Sequence, residues 1–210
     1  MRLGIGALVL SILAIAVPAS SQAPAPSTSD VANEPTIHAG DVWVDRLSSG
    51  DKEFKVDAID SDGNVTVDQW GTPQTTDKDW NTLVTRSLVT DSSPSTKFAK
   101  PLVIFPFPLA PGKTWKDEAK WLQPEQQLNG KTNVDGKIGN WEDITVPAGN
   151  FHAIKVTVVE RALGHAGYQD EATLTYWYAP QVNRFVKFQY QSINEGQISA
   201  EMVSYKPASH

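Results

Sequence analysis

The sequence predicts an all-β protein: a strongly curved antiparallel sheet of roughly ten strands, closed as a half-barrel, a barrel or a sandwich-like form, with little or no helix. Three observations carry this. Apolar residues alternate with period two along two stretches, Glu142 to Val159 and Thr173 to Tyr190. Gly, Pro, Asn and Asp punctuate the chain at strand-length intervals. No stretch places apolar residues at helical spacing through the body of the chain.

The chain opens with a segment of another kind. Met1-Arg2 is a short positive start, Leu3 to Val17 is uncharged and apolar, and Pro18-Ala19-Ser20 follows. This is the plan of a secretory signal peptide, residues 1–19, with cleavage after Ala19. The apolar run falls short of the roughly 20 residues that span a bilayer, so no transmembrane segment is expected after processing. Residues 20–36, rich in Pro, Ala and Ser, read as a disordered linker. Residues 37–207 then form a single β domain, and the expected location is periplasmic or secreted.

Composition narrows the options. The 210 residues include no cysteine, which removes disulfides, thiolate metal sites and an acylated-cysteine anchor. Stability must come from a core supplied by seven Trp, seven Phe and five Tyr. The net charge of −6, with no basic cluster, argues against a nucleic-acid partner.

Within the domain, Val42 to Leu47 reads as the first strand. Glu53 to Trp70 reads as a hairpin centred on Asp62-Gly63, a strong two-residue turn signal. That register pairs Ser61 with Asn64, aligns Phe54, Val56 and Ala58 with Val65 and Val67, and sets Asp57 opposite Asp68. Like charges so placed repel. The expectation is a solvated face, with a cation site on Asp57, Asp60, Asp62 and Asp68 as the alternative. A calcium-loop alignment on Gly63 fails, because Ala58 and Gln69 fall at ligand positions.

Asp77 to Trp80 is a turn before a weak strand, Leu83 to Val89, and Asp91 to Ser95 is a loop. Leu102 to Leu109 is apolar but holds Pro106 and Pro108, so it is expected as an edge strand running into a buried extended segment. Phe105 and Phe107 on this stiff backbone are candidate ligand-binding residues at the mouth of an apolar pocket. Thr114 onward begins a strand in which Trp115, Ala119 and Trp121 alternate with charges, and Lys131 to Ile138 forms another with a kink at Gly136.

The hairpin from Glu142 to Val159 turns at Pro147-Ala148-Gly149. Proline presets the first turn residue, and Gly149 takes the left-handed position of a three-residue loop. Leu163 to Gly167 is a loop. The hairpin from Thr173 to Tyr190 breaks at Ala179 to Asn183, with Asn183 suited to a left-handed conformation. Its first strand has large side chains on both faces, so it is expected to be covered on both; Trp177 is the third candidate ligand-binding residue. Ile198, Ala200 and Met202 alternate along a final strand.

Chemistry is sparse. His38, His152, His165 and His210 show no metal spacing, and no cofactor is implied. No nucleophile elbow, zincin motif or phosphate loop is present. Glu118, Glu142, Asp143, Glu160 and Glu171 are the carboxylates that could form an acid/base pair, but no catalytic residue is assigned. His165, in a Gly-flanked loop, is the histidine best placed for a function.

Val146-Pro-Ala-Gly-Asn-Phe151, the later Tyr176-Trp-Tyr-Ala-Pro180 and the upstream Pro108-to-Trp115 stretch together resemble a family of exported bacterial β proteins grouped as a domain of unknown function. The resemblance implies a strongly curved antiparallel sheet, related to the half-barrels of periplasmic lipoprotein carriers, and no catalytic residues. The expectation is therefore a non-enzymatic binding or carrier module for an apolar or lipid-like ligand. The alternatives are a carbohydrate-binding module, with Trp70, Trp80 and Trp121 exposed to a glycan, and an envelope component that adds a strand at the Leu102 edge.

Overall fold

The structure is a computed structural model that describes residues 31–87 and 94–208; the expected signal peptide lies outside the described residues. The strands are β1 Val42–Leu47, β2 Gly50–Ile59, β3 Val65–Gln69, β4 Thr72–Thr76, β5 Thr82–Thr85 and β6 Thr96–Leu102. They continue as β7 Thr114–Gln123, β8 Leu128–Val146, β9 Gly149–Gly164, β10 Gln169–Ala179, β11 Arg184–Ser192 and β12 Gly196–Lys206. Short 3-10 turns follow β9 and β10, and no helix of the described residues is long and apolar enough to cross a membrane.

Each strand pairs antiparallel with the next in the chain, and β1 pairs with β12 to close a barrel. Val42, Trp43 and Val44 face Lys206, Tyr205 and Ser204 across that seam. Closure leaves no strand edge, so Leu102 does not lie on an edge strand, as the prolines had suggested. Instead β6 ends at Leu102, and the proline-bearing segment leaves the wall to fold over one end of the barrel. Ile104, Phe105 and Leu109 are buried there. Leu109 bridges to Ala32, which lies within the stretch expected to be linker, through two backbone bonds of 2.8 and 2.9 Å.

Period two decides what faces inward. On β7, Ala119 and Trp121 are buried while Lys116, Glu118 and Lys120 are exposed. On β9, Val156 and Val158 point to the core. A charged exterior around an apolar interior is the inverse of the pattern that a lipid-embedded barrel needs.

The β2–β3 hairpin departs from the expected register. Val56 faces Val67 and Lys55 faces Asp68, and a bulge at Asp57 shifts the pairing before Ala58 meets Thr66. The repulsion of Asp57 by Asp68 is thereby avoided, and Asp57 pairs with Lys55 at 2.8 Å. Ala58 is left exposed rather than sharing the buried face. The turn widens because the Asp60 carboxylate accepts the Asp62 and Asn64 backbone N–H groups, both at 2.9 Å, an Asx-type turn. The Asp68 carboxylate accepts the Gly71 N–H at 2.6 Å. Two of the four aspartates once grouped as a cation site are thus held in their own turns, and a third in an ion pair.

Other elements shift less. The strand expected over Leu83 to Val89 is β5, Thr82–Thr85, and residues 88 and 89 lie outside the described residues. β8 runs unbroken through Gly136 and bends at a register shift between Ile138 and Trp141. Gly136 is required by packing: a Cβ there would meet the Trp115 ring at 2.1 Å. The Pro147-Ala148 turn closes one residue tighter than expected, with Val146 opposite Gly149, whose φ is 130°. Asn183 takes the left-handed conformation expected of it, φ 54°.

The turns fall into two sets. Those at 60–64, 77–81, 103–113, 147–148 and 180–183 gather with the chain ends at one end of the barrel. The connections 48–49, 70–71, 124–127, 165–168 and 193–195, with the described residues 86–87 and 94–95, gather at the other.

Candidate functional site: the barrel lumen

The first end is plugged. Trp43 and Trp80 donate their indole N–H groups to the carbonyls of Val182 and Asn183, each at 3.0 Å. Their rings meet Phe54 edge-on, with centroids 5.7–5.8 Å apart. Beneath this plug sits a buried ion pair. Asp45 is in phase with Trp43 on β1 and so points inward. Its carboxylate takes two hydrogen bonds from Arg184, at 3.1 and 2.8 Å, and one from Trp70 Nε1 at 2.8 Å. The guanidinium lies against Phe54 and Phe185, 3.9 and 4.0 Å from their ring centroids. Both charges are paired and hydrogen-bonded, the condition under which burial is tolerated.

The segment after β6 completes the plug. Asn81 Oδ1 accepts the backbone N–H groups of Ile104 and Phe105, both at 2.8 Å. Asn81 is itself fixed by Asp77, which accepts its backbone N–H at 2.8 Å and its amide at 3.1 Å. Phe105 is thereby held against Tyr176, with ring centroids 4.9 Å apart.

Above the plug lies a cavity of about 490 Å³. Its wall is rich in aromatic and aliphatic side chains, among them Phe98, Leu102, Phe105, Leu174, Tyr176 and Phe188, with Gln74, Thr76 and Thr82 at strand ends nearer the plug. Toward the second end the lining turns polar, with Gln126, His165, Tyr168, Asp170 and Glu195 contributed by the connections there and the strand ends beside them. Asp170 accepts the Ser192 hydroxyl at 3.0 Å, and Glu195 accepts the Tyr190 hydroxyl at 3.1 Å. Between the two zones stands Glu160, on β9 in phase with Val156 and Val158. Burial, reinforced by the charges of Asp170 and Glu195, pushes its carboxyl up to about 7. Burial, and then the Glu160 charge, holds the Tyr176 phenol well above its ordinary value.

The three candidate ligand-binding residues are not brought together. Phe105 is in the cavity wall. Phe107 is half-buried beside it, its ring 6.2 Å from Phe105 and 5.2 Å from Tyr178, without lining the cavity. Trp177 is on the opposite face of β10 from Tyr176. There it donates to Glu142 at 2.7 Å and lies between the ammonium groups of Lys155 and Lys187, 5.1 and 5.6 Å from its ring. β10 is thus covered on both faces, but its outer cover is lysine stems.

Of the candidate carboxylates, Glu118 and Glu171 are in ion pairs with Lys131 and Arg161, both at 2.7 Å, and Asp143 lies 2.7 Å from His152 Nδ1. Only Glu160 of the five lines the cavity. Sequence reasoning passed over Asp45 and Arg184 and did not separate Glu160 from the rest. The available signal was phase: Asp45 continues the Trp43 period and Glu160 continues the Val156-Val158 period. Trp80 and Trp121 are buried, 7% and 8% exposed, and Trp70 donates to Asp45, so the exposed tryptophan platform of the carbohydrate-binding alternative is not formed. The closed wall likewise removes the free edge that strand addition at Leu102 required.

No family model matches the chain, and no curated protein matches it. Solved structures resemble it in fold at low identity. A candidate lipoprotein of Parabacteroides distasonis is 15% identical over 80% of this chain and 96% of its own, with a TM-score of 0.47. The hypothetical lipoprotein YmcC of Escherichia coli is 13% identical over 81% and 86%, with a TM-score of 0.46. A candidate exported protein of Bacteroides fragilis with a YmcC-like fold is 15% identical over 83% and 99%, with a TM-score of 0.43.

Proposed function

We propose that this chain is a non-enzymatic binding or carrier module that holds an apolar or lipid-like ligand inside the barrel. The observation that carries the reading is the lumen itself, about 490 Å³ with an aromatic-rich wall and acidic groups toward its second end. That volume falls within the roughly 300–1,000 Å³ typical of small-molecule sites, and apolar walls with a few polar groups are their usual chemistry. Phe105, held by Asn81, belongs to the ligand wall. Trp177 serves the outer wall instead, and Phe107 supports Phe105 from behind. The apolar leader over residues 1–19 supports export, to the periplasm or beyond.

Native mass spectrometry of protein purified without detergent tests the reading. The expected result is a co-purifying species of lipid-like mass that is lost on denaturation. Protein that carries none, and takes up no alkyl-chain compound when offered, contradicts it.

A further inference from the structure

The lumen holds a titratable carboxyl that its walls leave without a partner. Glu160 sits on β9, flanked across the sheet by Val134 and Ala172, and it borders the cavity. Among the described residues its carboxyl makes no hydrogen bond and no ion pair, whereas Asp170 and Glu195 nearby are bonded to Ser192 and Tyr190. Glu160 is partly buried and borders the cavity, so a ligand there meets a carboxyl that no protein donor occupies. The other charged or titratable groups facing the cavity are Arg86, His165, Tyr168, Asp170, Tyr176, Tyr190 and Glu195. The one permanent cation among them, Arg86, lies 3.8 Å from Glu125 in an ion pair. The polar zone of the lumen is therefore predominantly acidic.

Resting on the proposed function, we infer that the ligand is an amphiphile with a cationic, amine-bearing head: its tail lies against Phe105, Tyr176 and Phe188, and its ammonium donates to Glu160. The order of the lining matches such a molecule. The rings of Phe105, Tyr176 and Phe188 suit an alkyl chain, and Glu160 stands between them and the acidic groups Asp170 and Glu195. An ammonium supplies the donors that the carboxyl lacks, and Asp170 and Glu195 add favourable charge. A fatty acid would bring a second anion into the same space and be disfavoured. The raised value of Glu160 agrees with this, since a bound ammonium would return the group to its ionised form.

Three probes with one tail test the inference: dodecylamine, dodecanol and dodecanoic acid, each below its micelle concentration at pH 7. Their affinities are read by displacement of a lumen-bound fluorescent dye. The wild type should bind the amine about tenfold or more tighter than the acid. Glu160→Gln should lose most of that preference and keep its affinity for the alcohol. Glu118→Gln, which alters an outer ion pair, should leave the preference unchanged and so exclude a general effect of the −6 net charge. Acid binding as tight as amine in the wild type overturns the inference and leaves the cavity reading standing. A preference untouched by Glu160→Gln overturns the role of this residue. Failure of all three probes overturns the cavity reading itself.

Discussion

At the scale of single residues, the Asp45–Arg184 pair has the largest consequences for stability. Both side chains are almost fully buried, and Asp45 receives three hydrogen bonds. Arg184→Met leaves the Asp45 carboxylate against Trp70 alone, and should destabilise by roughly 3–5 kcal/mol in a urea titration. Adding Asp45→Leu should recover much of that loss, because the uncompensated charge goes with it. Glu160 acts in the opposite sense. Its carboxyl is raised in the folded state from an ordinary 4.5 to about 7, so the folded state holds the proton over that window while the unfolded state releases it. Stability should therefore fall as pH rises from about 4.5 to 7 and level off above, by at most about 3 kcal/mol. Glu160→Gln should flatten this slope, melting higher than wild type at pH 8 and close to it at pH 4. Equal melting differences at both values would mean that the group is not held in this environment.

At the scale of elements, two devices set the plugged end. Asn81 caps the backbone of Ile104 and Phe105, and Asn81→Ala strands two buried N–H groups. Each unmet donor costs about 1–3 kcal/mol. The variant should lose stability in that range or above it and show faster amide exchange at Ile104 and Phe105. Gly149 holds φ 130°, where a β-branched residue is strained by about 1–3 kcal/mol. Gly149→Val should lower the melting temperature accordingly, and an unchanged melt would remove the requirement for glycine at this turn. These elements also mark what was legible. Alternation revealed the hairpins β8–β9 and β10–β11, and Gly149 and Asn183 announced their turns. The β2–β3 register was not legible, because Asp62-Gly63 signals a two-residue turn while Asp60 gathers its neighbours into a wider one. The bulge at Asp57 follows from charge: it places Asp68 against Lys55. The prolines after Leu102 were correctly incompatible with a central strand. A sequence does not distinguish an edge strand from a segment that leaves the wall to cover a barrel end.

At the scale of the whole molecule, closure depends on the seam between β1 and β12, whose members are some 160 residues apart in the chain, a pairing that no local pattern discloses. The same applies to the lumen. Phe98, Phe105, Tyr176 and Phe188 are ordinary core residues in sequence, and only their arrangement around a staggered barrel leaves space between them. Trp177, the most conspicuous aromatic of its strand, went to the outer face because its phase is opposite to that of Tyr176. The proposed function requires that this space be a ligand site. Ala162 lines the lumen one step from Glu160 toward the mouth, so Ala162→Trp obstructs the passage while leaving the plug intact. The most direct measurement is titration of an apolar fluorescent dye into the wild type and this variant, with circular dichroism to establish that both are folded. Saturable one-to-one binding by the wild type and at least tenfold weaker binding by Ala162→Trp are expected. Equal binding by the two, or no saturable binding by the folded wild type, would contradict the proposed function.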